Sequence, residues 1–247
     1  MLTVNNLAKK LPDGRYLLKD INFSVRKSEF VAILGLSGTG KTILLRCLNG
    51  LTMPDAGRVL HTHNEETLDI VYSNPKTIRE IRKRTGMIFQ NFNLVKRKSV
   101  IENVLMGKLG NMQTLGSILG KFTDEDLEMA SRALYRVGVL NLAHRRAGTL
   151  SGGEQQRVAI SRAIMQEPHL LLADEPVANL DPTTADSVMR YLRSISVEDG
   201  VSTLAVLHQP ELARKYATRI IGVRGGVVVY DGDPKIPESS LKEIYGM

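Results

Sequence analysis

The stretch ILGLSGTGKTILL, Ile33 to Leu45, joins one apolar run to another through a glycine-rich turn. Within it, Gly35-Leu36-Ser37-Gly38-Thr39-Gly40-Lys41-Thr42 fits the pattern G-x-x-x-x-G-K-[ST]. Glycines let the backbone wrap close to an anion with its N–H groups turned inward, and the following helix presents its positive end. Lys41 is then placed to bridge β- and γ-phosphate oxygens, and the Thr42 hydroxyl to ligate Mg²⁺. By average residue usage the pattern arises by chance in roughly one chain in a hundred of this length. Its position between an apolar strand and a helix is what the mechanism needs. A nucleotide site is expected here.

The surroundings extend that unit. Leu44, Leu45 and Leu48 recur at helical spacing and stop at Asn49-Gly50, a sound helix end. Upstream, TVNNL, the turn PDG, KDINFSV and EFVAILG read as strands, and AGRVLHTHNEETLDIVYS reads as a strand pair with a polar tip. From about Asn91 to Leu150 the pattern turns helical, punctuated by glycines in MGKLGNMQTLGSILGKF, and Thr123-Asp124-Glu125-Asp126 carries a capping signature. A helix from about Glu154, the strand LLLA, a helix from about Pro182, the strand STLAVL, a short helix and the hairpin RIIGVRGGVVVYDG follow. Short buried strands alternating with helices predict a mostly parallel α/β sheet, with the middle helical stretch inserted into it.

A net charge of +7 suits polyanions such as nucleotides or an anionic membrane face, though a solvated basic surface gives the same number. Cys47 is the only cysteine, which excludes an intramolecular disulfide and a multi-cysteine metal site. The start, MLTVNNLAKKLPDG, lacks the apolar core of a signal peptide, and no apolar run approaches the roughly 20 residues that span a bilayer. A cytoplasmic chain that reaches a membrane through partners is expected. His61 and His63 form half a metal site without a third ligand, and REIRKRTG and KRKS read as solvated basic faces or anionic-lipid contacts.

Two further motifs carry chemistry. HLLLADEP ends an apolar strand on Asp174-Glu175. An acid at a strand tip near a phosphate loop suits Mg²⁺, and the next acid can orient or deprotonate a water. Asp174 is therefore assigned to the metal and Glu175 to the general base. LSGGEQQRVAISRAI, from Leu150, places Ser151-Gly152-Gly153 before a helix, a second anion-binding helix start. One γ-phosphate has no need of two cradles in one chain. Two chains set head-to-tail would let the Ser151 end of one close over the ATP on the other.

At this motif the sequence resembles the ATP-binding cassette (ABC) family, whose signature is LSGGQ; Glu154 stands where glutamine is commonest. The resemblance spans essentially the whole chain. It implies an α/β P-loop NTPase (RecA-like) core with a mostly parallel sheet, an N-terminal antiparallel β part and an inserted α-helical subdomain. The chain is then one nucleotide-binding domain, 1–247, with its core at about 1–90 and 159–247 and the helical subdomain at about 91–158. Gln90 in GMIFQNFNL matches the Q-loop residue that senses Mg²⁺ and the attacking water. ANLD, Ala178 to Asp181, matches the D-loop that meets the partner chain, and His208 in AVLHQPELA matches the switch histidine at the γ-phosphate. The family's aromatic adenine platform falls on Leu11, which covers a base apolarly but offers no π-face.

The resemblance also implies ATP and Mg²⁺ as cofactors, a second copy of the chain as partner, and permease subunits docked on the helical insertion. It further implies, indirectly, a periplasmic or extracytoplasmic solute-binding protein, a peripheral place on the cytoplasmic face of the membrane, and no nucleic acid. LLADEPVANLDP, HQPELARKYATRIIG and the Gly-Lys-Leu-Gly segment are similar to the ATP-binding subunits of phosphonate importers, which points to a phosphonate or a related oxyanion such as phosphite. The alternatives are an amino-acid or phosphate importer, a lipoprotein-releasing exporter, a soluble cassette protein, and a module that grips ATP without turnover.

Overall fold

The computed structural model describes residues 1–111, 122–178 and 180–247. Two sheets and a helical lobe pack against one another. The first sheet is antiparallel, in the order β2 (Tyr16–Val25), β1 (Leu2–Lys10), β4 (Ala56–His63), β5 (Glu66–Asp69). The second runs β10 (Val227–Gly232), β9 (Arg219–Arg224), β3 (Phe30–Leu34), β8 (Ser202–Val206), β7 (Leu170–Asp174), β6 (Thr85–Ile88). Its strands are parallel except for β10, which closes one edge as a hairpin with β9.

β3, β7 and β8 are buried along their whole length, which is why their sequences read as unbroken apolar runs rather than as alternation. Each fully buried Leu, Ile, Val or Phe contributes about 1.5–3 kcal/mol of apolar transfer. α1 (Lys41–Leu48) follows β3 and buries Leu44, Leu45 and Leu48 between the two sheets. On the other face of the parallel sheet lie α6 (Pro182–Glu198), α7 (Pro210–Tyr216) and α8 (Glu238–Tyr245). The third cluster gathers Val100, Val104, Leu134, Val139, Val158 and Met165. They come from α3 (Val100–Leu105), α4 (Asp124–Arg136) and α5 (Gly152–Ile164), with the segments that adjoin them. α5 also sends Ile160 and Ala163 into the core beneath the parallel sheet, so it belongs to both packings.

The α/β class, the antiparallel N-terminal part, the β4–β5 hairpin and the capped start at Thr123 are all present. The span from Asn91 to Leu150 is less helical than its composition predicts. Residues 91–99 are irregular loop and turn ending in a single bridge from Ser99 to Arg146, α3 has six residues, and Leu140–Leu142 and Ala147–Thr149 are single 3₁₀ turns. Tertiary bonds replace helical ones there: Val100 and Ile101 donate to the carbonyls of Arg145 and Ala143, and Ala147 to that of Lys98. Met106–Gly110 is a 3₁₀ helix, while residues 112–121 of the glycine-punctuated stretch, and Asn179 of ANLD, lie outside the described residues. α2 (Pro75–Lys83), β6 and α8 are absent from the sequence reading, although Asn74-Pro75 is a helix-start signal for α2. α2 buries only Ile81, and β6 is four residues held by their pairing with β7.

Candidate nucleotide-binding site

The loop Gly35–Gly40 leaves the carboxyl end of β3, which lies between β8 and β9 in the parallel sheet. Steric fit explains two of its glycines. A Cβ on Gly35 would lie 2.3 Å from the Val223 carbonyl oxygen on β9, and one on Gly40 would lie 2.9 Å from Leu18 on β2. Gly38 is different. Its φ is +79°, and nothing stands within 4 Å of its Cβ direction, so left-handed backbone faces open space where an anion can approach.

Lys41 is 4% exposed. Its Nζ donates to the carbonyls of Gly35 at 2.8 Å and Leu36 at 2.7 Å, folding the ammonium back across the loop. Burial lowers its pKa, and the nearby Glu175 and Asp174 charges oppose that. Thr39 Oγ1 donates to the Leu36 carbonyl at 2.8 Å and fixes the loop's turn. Ser37, Gly38, Lys41 and Thr42 border one cleft together with Leu17 and Glu175. Leu11 does not reach it. That residue sits half-buried in the β1–β2 turn, its N–H donating to the Arg15 carbonyl, and Leu17 on β2 borders the cleft instead.

Three adjacent strand ends supply the rest. Register pairs Ile88 with Ala173 and Asp174 with Val206, so the carboxyl ends of β6, β7 and β8 finish side by side. The residues just beyond them are Gln90, Glu175 and His208. Gln90 Nε2 donates to Glu175 Oε2 at 2.8 Å, and His208 Nε2 lies 2.5 Å from Glu175 Oε1. One carboxylate is thus held from both sides by two loops that are distant in sequence. Glu175 has φ +50°, a conformation that costs a non-glycine residue about 1–3 kcal/mol and persists only where its surroundings enforce it.

Asp174, 3% exposed, accepts from Thr42 Oγ1 at 2.9 Å. Burial raises its pKa and the Glu175 charge adds to that, while the Thr42 hydrogen bond and the Arg46 and Lys41 charges oppose. A hydroxyl and a carboxylate meeting at hydrogen-bond distance form an all-oxygen donor pair, the chemistry that Mg²⁺ takes.

The Ser151 end of α5 borders none of this. Ser151 and Gly152 are exposed, and a Cβ on Gly152 would meet nothing within 4 Å. Gly153, by contrast, backs onto α6, where its Cβ would lie 2.9 Å from Thr184 Cγ2. Thr184 is itself held by Asp181, which caps α6 by accepting from the N–H groups of Thr183 at 3.1 Å and Thr184 at 3.0 Å. Leu11 apart, the residues assigned from sequence therefore fall into two groups on one chain. Gly35 to Thr42, Gln90, Asp174, Glu175 and His208 converge; Ser151, Gly152, Gly153 and Asp181 form a separate surface.

Two contributors escaped the sequence reading. Leu17 had no motif to flag it. Arg162 on α5 donates to the carbonyls of Asn93 at 2.7 Å and Phe92 at 2.8 Å, clamping the turn after Gln90 onto the helix that begins at Ser151. Its signal in the sequence was an arginine whose helical neighbours at i−4, i−3 and i+3 are the apolar Val158, Ala159 and Met165. Of the two histidines read as half a metal site, His61 donates Nε2–H to the Leu48 carbonyl at 2.8 Å, and His63 stacks on His169.

The family profile of ABC transporters matches residues 18–178. Across all 247 residues the chain is 48% identical to a phosphonates import ATP-binding protein, PhnC, of Shouchella clausii, and covers 91% of that protein. It is 47% identical over the same span to the protein of that name in Bdellovibrio bacteriovorus, covering 94% of it. Among solved structures, a dimeric post-hydrolysis state of the ATP-binding cassette MJ0796 bound to ADP and Pi superimposes with a TM-score of 0.82 at 30% identity, over 96% of this chain and 100% of that one. With the profile on the phosphate-loop core and the identity running the full length, the chain belongs to the ABC transporter family of ATP-binding cassettes.

Proposed function

We propose that this chain is the ATP-hydrolysing subunit of a membrane importer for a phosphonate or a related phosphorus oxyanion such as phosphite. The observation that carries the ATPase half is Glu175, pinned between Gln90 and His208 at the end of β7. The substrate half is supported by relatives 43–48% identical over nearly the whole chain, all phosphonates import ATP-binding proteins.

ATP binds with its phosphates over Gly38 and along the N-terminus of α1, where free N–H groups and the helix dipole favour negative charge. Lys41 exchanges its two carbonyl contacts for phosphate oxygens. Thr42, Asp174 and Gln90 would hold Mg²⁺, which supplies charge neutralisation to the phosphates when bound. Glu175 takes the proton of the attacking water. Gln90 and His208 keep its carboxylate oriented.

The separate surface of Ser151, Gly152, Gly153 and Asp181 serves a second copy, set head-to-tail so that each ATP lies between one loop and the partner's α5. Among the described residues no helix is long and apolar enough to cross a membrane. The membrane work therefore belongs to permease subunits, with this chain peripheral on the cytoplasmic face and an extracytoplasmic solute-binding protein delivering the oxyanion. A groove floored by Met87, Phe89 and Met106 and rimmed by Arg79 and Arg82, between the helical lobe and the parallel sheet, suits a docked amphipathic segment of those subunits.

The test is growth of the source organism on a phosphonate or phosphite as sole phosphorus source after loss of this chain. The reading expects growth to fail, to return with the wild-type chain, and not to return with Glu175→Gln. Unimpaired growth on both phosphorus sources would remove the substrate from the reading, and restoration by Glu175→Gln would remove the ATPase.

A further inference from the structure

The exposed end of α5 already carries an anion of its own. Ser151 caps the helix, and the Glu154 carboxylate turns back to accept from the Ser151 N–H at 2.7 Å and from Ser151 Oγ at 2.9 Å, while the Glu154 N–H donates to Ser151 Oγ at 3.4 Å. The hydroxyl's one hydrogen is thereby committed within the chain. The same contacts, with the Arg145 and Arg157 charges behind them, hold the Glu154 carboxyl below the usual carboxylate range, so it is ionised at neutral pH. In front of this closed box, Gly152 leaves open space.

We propose that Glu154 is a resident counter-anion that keeps the Ser151 end of α5 satisfied within its own chain and must yield before that end receives the γ-phosphate of an ATP held by a partner chain. It acts as a positioning residue whose charge sets the ATP concentration at which two chains close. This inference rests on the head-to-tail reading given above. An arriving phosphate finds the serine hydroxyl already donated, a like charge one hydrogen-bond length behind it, and a helix dipole partly neutralised. Glutamine at 154 would keep the box through its carbonyl oxygen and remove only the charge. Aspartate would keep both, as Asp126 does for Thr123 in this same chain.

The experiment uses the full-length chain carrying Glu175→Gln, so that ATP is bound without turnover, and follows dimerisation by light scattering as Mg-ATP is titrated. Adding Glu154→Gln is expected to lower the ATP concentration for half-dimerisation about tenfold at low salt, with the gap narrowing as ionic strength rises. Adding Glu154→Asp is expected to leave it within twofold of the parent. In the turnover-competent chain Glu154→Gln lowers KM by a similar factor with little change in kcat. No shift or a weaker dimer with Glu154→Gln, or an equal shift with Glu154→Asp, overturns the proposal while leaving the sandwich intact. Failure of the Glu175→Gln parent to dimerise at saturating ATP overturns both.

Discussion

The phosphate-loop cleft and the Ser151 surface are built to opposite plans. In the cleft Lys41 and Asp174 are buried, and both carboxylates are braced by elements far apart in sequence. Lys41 is folded onto Gly35 and Leu36, Asp174 onto Thr42, and Glu175 lies between Gln90 and His208. At the Ser151 surface the groups are exposed and every polar contact is local, within one turn of α5 or α6. A buried cluster of charges is stable only with its partners in place, so the cleft is complete within one chain. A locally capped helix end needs nothing more to be stable, and its capping contacts must be exchanged before it can receive a ligand. On the proposed function, the difference separates a reaction centre from a docking face.

The sharpest way to break this comparison is to neutralise the centre. Glu175→Gln should reduce the rate of phosphate release by roughly 10²–10⁴-fold while leaving ATP binding in place. A comparable loss of binding would mean that the carboxylate holds substrate rather than moving a proton. Lys41→Ala comes next: removing a buried ammonium that charge-assisted bonds to phosphate would use should weaken ATP affinity about 100-fold in calorimetric titration.

The antiparallel lobe contributes stability rather than chemistry, and pH exposes this. Burial lowers the His61 pKa to about 4, against 6.5 for a free imidazole. The unfolded chain therefore binds the extra proton between those values, and stability rises with pH through that window. Acidification from pH 6.5 to 4 should cost about 3 kcal/mol at this one site, and denaturant titrations of His61→Gln should show a correspondingly flatter acid limb. An identical limb would place the acid sensitivity elsewhere.

Smaller effects test the link between the regions. Arg162→Lys keeps the charge but cannot span both the Phe92 and Asn93 carbonyls, so kcat should fall about tenfold with unchanged ATP affinity. Smallest is the base contact. Leu17→Ala should raise KM for ATP a few-fold through lost apolar cover, and by more than Leu11→Ala does. A larger effect at Leu11 would return the adenine to the β1–β2 turn.

Most of the parallel core was legible because its signals are local. Gly35 to Thr42 prescribe their own turn, and buried strands such as LLLAD read as apolar runs. Asp174 and Glu175 were visible as acids closing such a run. What sequence could not supply was register. The convergence of Gln90, Glu175 and His208 follows from Ile88 lying beside Ala173 and Asp174 beside Val206, pairings made between strands that are 85 and 32 residues apart in the chain. β6 escaped for the same reason, since four residues of moderate apolarity become a strand only beside β7. Leu17 and Arg162 act through the loops they touch, and touching is a property of the folded chain alone.

The central claim is that ATP is held between one chain's phosphate loop and another chain's Ser151 surface. Hydrogen exchange of the Glu175→Gln chain, with and without Mg-ATP, tests it directly across a range of protein concentrations. The account predicts slowed exchange at residues 35–42 at every concentration, and at residues 151–154 only where the dimer forms. Protection confined to 35–42, with 151–154 unchanged even in a fully formed dimer, would contradict it.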